Sequence, residues 1–216
     1  VIEKAISPML TLYEFGLSGN CHKVRLLLSL LGLQYQSKLL NSIEREHKTE
    51  HFLQLNPFGQ VPVLTDGNAN ADALVMRDSQ AILVYLARTY GADKWFPQDP
   101  AKAAEIISWL SNAANEVARG PNAMRLHHKF GRAINMDEAT QITAQLLSVL
   151  NLHLQSHQWL ANNTLTIADI AVYPYIALVN EGKFDIAPYV YVQSWMKRIE
   201  QLAGYVSMPG IQHFAE

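Results

Sequence analysis

The segment Ser18-Gly-Asn-Cys21 stands where an alternating run gives way to a dense apolar one, so it reads as the opening of a helix. The first N–H groups of a helix have no partner inside it, and its dipole favours negative charge there. A hydroxyl at that point is placed to hold an anion. Serine is a poor base, so Ser18 reads as a donor to a bound anion and not as a proton acceptor. Asn20 offers a second donor. Ordinary capping of the helix explains either residue equally well from sequence alone. Cys21 is the single cysteine of the chain, which leaves no internal disulfide and no two-cysteine exchange cycle.

Other residues invite chemical readings with equally plain structural ones beside them. Asp78-Ser79 precedes an amphipathic run and fits a helix start, where a hydroxyl and free N–H groups suit a carboxylate. His47-Lys48 is a neutral donor beside a cation, or a solvated surface pair. Val61-Pro62 reads as a proline at a strand edge. Thr166-x-x-Asp169, ahead of an apolar run, is a capping box and is assigned to stability. His47 and His51, like His153 and His157, are four apart, but neither pair has a third ligand or an H-E-x-x-H arrangement, so no metal is predicted.

The elements that must position these residues follow from periodicity. Leu10 to Phe15 alternates as a strand, a helix runs from near Ser18 to Gly32, and Tyr35 to Leu40 is a second strand, predicted parallel to the first. A partly helical stretch over Arg45 to Leu55 precedes a hairpin of Val61–Leu64 and Ala73–Met76, whose tip, Asp66 to Asp72, is expected to be exposed and mobile. Asp78 to Tyr90 is a helix. This order, βαβαββα, is that of a thioredoxin-like domain. The rest reads as helices near 100–130, 137–156, 166–180 and 190–203. Two domains are therefore expected, 9–90 and 100–216, joined by a breaker-rich linker in which Trp95 and Phe96 pack down. The fold class is an α/β thioredoxin-like domain followed by an all-α domain.

Five local motifs, in order, resemble the glutathione transferase family, with serine-type and bacterial members nearest in pattern. They are Ser18-Gly-Asn-Cys21-His-Lys-Val24, His47-Lys48, Asn56-Pro-Phe-Gly-Gln60-Val61-Pro62-Val-Leu64, Asp78-Ser79-Gln-Ala-Ile82 and Thr164-Leu-Thr166-Ile-Ala-Asp169-Ile-Ala171. The resemblance spans nearly all of the chain from Met9. It implies that Ser18, in the place of the first cysteine of a thioredoxin, donates to the thiolate of glutathione, assisted by Asn20. A hydrogen bond to a charged group is worth about 1.5–3 kcal/mol. With the helix dipole, that brings a thiol of pKa about 8.5–9 down to roughly 6 to 7. The resemblance further implies a cis Val61-Pro62 bond, Val61 pairing with the cysteinyl backbone, Gln60 as a glutathione-binding residue, Asp78 and Ser79 at the γ-glutamyl end, and Lys48 with His47 on the glycyl carboxylate.

The acceptor would then lie between Leu17 and the first long helix of the second domain, where Ser108, Asn112, Asn115 and Arg119 form a polar stripe. The resemblance implies conjugation of glutathione, as co-substrate and with no other cofactor, to a small hydrophobic electrophile by a homodimer. Glutathione-dependent peroxidase activity, or a non-catalytic scaffold on the same fold, is the alternative. Composition narrows the partners further. A formal charge of −2 with dispersed cations gives no nucleic-acid patch. The longest apolar stretch, Ala81 to Ala87, is far short of the roughly 20 residues that span a bilayer. Val1 to Pro8 lacks the apolar core of a secretory signal and reads as a native extension or a cloning remnant. A cytoplasmic location is expected.

Overall fold

The computed structural model of the protein describes residues 10–67 and 73–213. Its first part runs β1 (Leu10–Glu14), α1 (Gly19–Leu30), β2 (Tyr35–Leu39), α2 (Glu50–Leu55), β3 (Val63–Asp66), β4 (Leu74–Arg77) and α3 (Ser79–Thr89). The sheet order is β2-β1-β3-β4, with β2 parallel to β1 and the β3–β4 hairpin antiparallel to it. Alternation in β1 turns Leu10 and Leu12 inward, and Leu12 lies opposite Leu64 of β3. Val24, Leu27 and Leu28 of α1, with Ile82, Leu83 and Leu86 of α3, complete that side of the core. This is the thioredoxin-like arrangement expected.

The second part is helical: α4 (Pro100–Ala114), α5 (Ala123–Phe130), α6 (Met136–Leu154), α7 (Ile167–Ala177) and α8 (Val190–Glu200). The single helix expected over 100–130 is in fact two. Pro121 has no N–H to donate, and its ring would strike the carbonyl four residues back, so the chain passes through a π-helical turn at Ala118–Asn122 before α5 begins. Every residue of α7 is buried, as an apolar helix surrounded by others must be. It packs against α1, α3 and α4 and joins the two parts into one continuous core.

The connection between α3 and α4 is packed down, as Trp95 and Phe96 led us to expect. Both are buried, and the Arg88 guanidinium lies 4.7 Å from the centre of the Phe96 ring. The hairpin tip departs from expectation at its first residue. Asp66 is anchored by the hydroxyls of Tyr85, at 2.7 Å, and Tyr90. Residues 68–72 of the tip, and Val1 to Pro8 with the extension they were read as, lie outside the described residues. Among the described residues no helix is long and apolar enough to cross a membrane.

Candidate active site

Ser18 is the N-cap of α1, with extended backbone, and its oxygen accepts the Cys21 N–H at 3.3 Å. Capping uses a lone pair and leaves the hydroxyl hydrogen free to be donated, so the capping and donor roles coexist. The loop that delivers Ser18 is fixed from both sides. The Ser18 N–H donates to the Phe15 carbonyl at 3.1 Å. Arg25, two turns into α1, pairs with the buried Glu14 at the end of β1 and donates to the Gly16 carbonyl at 3.1 Å. Glu14 is held in turn by the Ser37 hydroxyl at 2.6 Å.

Two cavities meet at this helix start. The first is a polar cleft of about 180 Å³ whose walls include Asn20, Gln60, Val61, Pro62, Asp78 and Ser79. Six residues expected at one binding site are thus brought together, and the Val61–Pro62 bond is cis. Asp78 caps α3 by accepting from the N–H groups of Gln80 and Ala81 at 3.0 and 3.1 Å. The buried Ser79 hydroxyl makes a long 3.5 Å contact with Asn20, linking the starts of α1 and α3. Three further residues share the cleft: Asn56, Phe58 and Arg77, whose guanidinium lies 4.7 Å from the centre of the Phe58 ring. Arg77 ends β4 directly before Asp78, and that adjacency was the available signal.

His47 and Lys48 do not line the cleft. Lys48 Nζ donates to the carbonyls of Phe58 and Gly59 at 3.1 and 2.7 Å. It clamps the Asn56–Gln60 turn, which Asn56 also braces by donating to the Gln60 carbonyl at 2.8 Å. Gly59 has φ of 55°, and a Cβ there would stand 2.7 Å from Lys48 Nζ, so glycine is required at that point. His47 packs edge-on against Phe15; its burial, with the charges of Lys48 and Arg45, holds its pKa below the usual histidine range. The cation expected at a glycyl carboxylate is thus tied to the turn through two of its three N–H groups. Lys48→Met is expected to raise KM about fivefold, the worth of about 1 kcal/mol, equally for glutathione and for γ-glutamylcysteine, which lacks the glycine. An effect on glutathione alone would assign Lys48 to the glycyl carboxylate.

The second cavity, about 400 Å³, lies on the other side of Ser18, between the first part of the chain and helices α5 and α7. Phe15, Leu17, Leu40, Leu126 and Phe130 give it apolar walls, and Leu17 and Phe130 are 39% and 51% exposed at its mouth. Its polar groups include Ser18, Tyr175 and Arg125. Tyr175 of α7 brings its hydroxyl beside the Ser18 hydroxyl and the Asn20 N–H. Burial pushes its pKa up to about 12, so at neutral pH it is an uncharged donor. A Cβ on Gly19 would stand 2.7 Å from the Tyr175 ring, so the helix start and α7 meet only because that residue is glycine. The Lys23 ammonium lies 5.6 Å from the centre of the same ring, buried and without a protein acceptor. This surrounding adds to the preference of the helix start for an anion.

The polar stripe expected on the acceptor side is elsewhere. Asn112 and Arg119 line a different groove, between α4 and α6. Arg119 pairs with Glu138 and with Asn115, and Ser108 faces solvent. The helix that was to have carried the stripe towards Ser18 ends at Ala114, so Asn115 is its cap and Arg119 falls in the π-helical turn. Tyr175 and Arg125 take its place, and Leu17 alone of the expected acceptor residues lines the cavity.

Cys21 is fully buried, and burial pushes its thiol pKa up to about 11. Folded protein at pH 7.5 is expected to resist iodoacetamide over hours, and Cys21→Ser to keep its activity within about threefold. Rapid labelling of the native state would return thiol exchange to consideration.

The geometry has counterparts in known proteins. Sequence profiles for the glutathione S-transferase N-terminal and C-terminal domains match residues 17–89 and 117–203. Glutathione S-transferase 2 of Anopheles gambiae is 28% identical over 191 residues, covering 87% of this chain and 88% of that protein. The crystal structure of a glutathione S-transferase from Pseudomonas fluorescens is similar with a TM-score of 0.84 and 27% identity, over 93% of this chain and 99% of its own. A glutathione transferase homologue from Drosophila mojavensis, solved with bound glutathione, has a TM-score of 0.80 and 29% identity, over 90% of this chain and 89% of its own.

Proposed function

The chain belongs to the glutathione S-transferase family, and from that premise we propose that it conjugates glutathione to a small hydrophobic electrophile. The supporting observation is the placement of Ser18. Its hydroxyl lines the apolar cavity, while Asn20, two residues on, lines the polar cleft. Glutathione lying in the cleft has its γ-glutamyl end at Asp78 and Ser79 and its cysteinyl backbone along Val61. Its sulfur then reaches the start of α1, where Ser18 donates to the thiolate.

An electrophile in the apolar cavity faces that sulfur with water displaced from between them, and holding two reactants in register lowers the barrier without further chemistry. The thiol proton goes to solvent, since the Ser18 hydroxyl is itself a poor base. A homodimer and a cytoplasmic setting belong to the same proposal.

The test is retention of the protein on immobilised glutathione, elution by free glutathione, and turnover of 1-chloro-2,4-dinitrobenzene. Retention with turnover is expected. Failure to bind overturns the reading, and binding without turnover makes the protein a scaffold on the same fold.

A further inference from the structure

Arg125 is the feature of the acceptor cavity that a plain apolar pocket does not need. Its side chain is 2% exposed, and Nε donates to Glu181 at 2.5 Å. Lys129 pairs with the same carboxylate, so two cations share one anion and a net positive charge remains. Although burial opposes it, these hydrogen bonds hold the Glu181 carboxyl below its ordinary pKa, so the anion is already committed to them. Arg125 Nη2 is buried with no protein acceptor. The cavity it lines contains no acidic side chain. A buried donor without an acceptor is unfavourable, and a buried unbalanced cation more so. An anion in the cavity, against the guanidinium that lines it, balances that charge.

We infer that the acceptor cavity selects apolar electrophiles that carry a carboxylate, with Arg125 as the residue that binds it. This rests on the glutathione transferase reading and adds the class of acceptor. The shape of the site supports it. The apolar collar of Leu17 and Phe130 suits the body of the electrophile, and Tyr175 lines the same cavity as a neutral donor beside Ser18. Guanidinium meets carboxylate through planar, paired N–H groups, which an ammonium cannot reproduce.

The matched acceptors 4-chloro-3-nitrobenzoate and 4-chloro-3-nitrobenzamide differ at one substituent of similar size, anionic in the first and neutral in the second. In both, the thiolate forms the C–S bond at the carbon bearing chlorine, and chloride leaves with the electron pair of the C–Cl bond. Rates are divided by the uncatalysed rate of each compound. The wild type is expected to favour the benzoate about tenfold or more, the usual size of a charged hydrogen bond. Arg125→Gln should remove that preference, raising KM about tenfold more for the benzoate than for the benzamide; Arg125→Lys should restore part of it. Equal losses on both acceptors, with a raised pKa of the bound thiol, would place Arg125 on the thiolate and overturn the inference. Should Arg125→Gln not fold, the wild type decides alone: 4-phenylbutyrate must compete with the benzamide at least about tenfold better than 4-phenylbutanamide does. Conjugation of the benzamide without any carboxylate preference overturns this inference only. Conjugation of neither compound, with no retention on immobilised glutathione, overturns the transferase reading as well.

Discussion

Ser18→Ala is expected to lower kcat/KM for glutathione conjugation by about ten- to a hundredfold at pH 6.5. The hydrogen bond lost is one to a charged sulfur, worth about 1.5–3 kcal/mol, and each 1.4 kcal/mol is tenfold. The loss is bounded because the Tyr175 hydroxyl and the Asn20 N–H remain beside the same point. Its pH dependence identifies it. The donor stabilises the thiolate, so removing it raises the pKa of the bound thiol by about one to two units. Activity then falls most at acid pH and recovers towards the wild-type value as pH rises past the shifted midpoint. Ser18→Thr keeps a hydroxyl and should keep most of the rate. Loss of the cap at Cys21 N–H lowers stability by about 1 kcal/mol, so the assays belong well below the melting transition. A rate unchanged in Ser18→Ala, or reduced by the same factor at every pH, would remove Ser18 from the chemistry.

Most of the first part was legible because its signals are local. The alternation in β1, the capping serine before α1 and the Asp78-Ser79 start of α3 each depend on a few neighbouring residues. The polar cleft inherits that legibility, since most of its residues sit at element ends. The acceptor cavity does not, because its far wall is assembled from helices that the sequence brings close only through long-range packing. Arg125 could have been found. It sits between Met124 and Leu126, and a charged residue on the buried face of a helix needs a reason. The expected uninterrupted helix over 100–130 concealed it by keeping attention on Asn115 and Arg119, ahead of the break at Pro121. Tyr175 carried no such signal, for in a helix buried on all sides a tyrosine looks like any other core aromatic. Lys48 differs again: sequence shows a cation near a binding motif but not the two backbone carbonyls to which it donates.

Asp169→Ala is expected to be the most destabilising single substitution proposed, at about 4 kcal/mol. Helix capping alone would cost about 1 kcal/mol, and the capping box with Thr166 is formed as expected. The carboxylate does more than cap, however. It is fully buried and accepts three N–H groups, from Leu160 at 3.0 Å, Thr166 at 3.0 Å and Trp195 Nε1 at 2.9 Å. Alanine leaves three buried donors without an acceptor, each costing about 1–3 kcal/mol, less what a water entering the vacated space recovers. For a chain of this length the melting temperature should fall by about 8–16 °C. Asp169→Asn keeps an oxygen for Leu160 and Trp195 but turns an amide N–H towards that of Thr166, so it should lose roughly half as much. The pH dependence has a definite sign. Burial, opposed by the three N–H groups, pushes the Asp169 carboxyl up to about 6 in the folded protein, above its unfolded value of about 3.9. Its contribution is therefore fully present below about pH 4 and declines as pH rises through about 6, and the deficit of the alanine variant should be larger at pH 4.5 than at pH 7.5. Urea unfolding at the two pH values measures this directly. Retention on immobilised glutathione at 10 °C should persist in the variant, because Asp169 lines neither cavity beside Ser18. Loss of that retention with an unchanged melting temperature would transfer Asp169 from folding to binding.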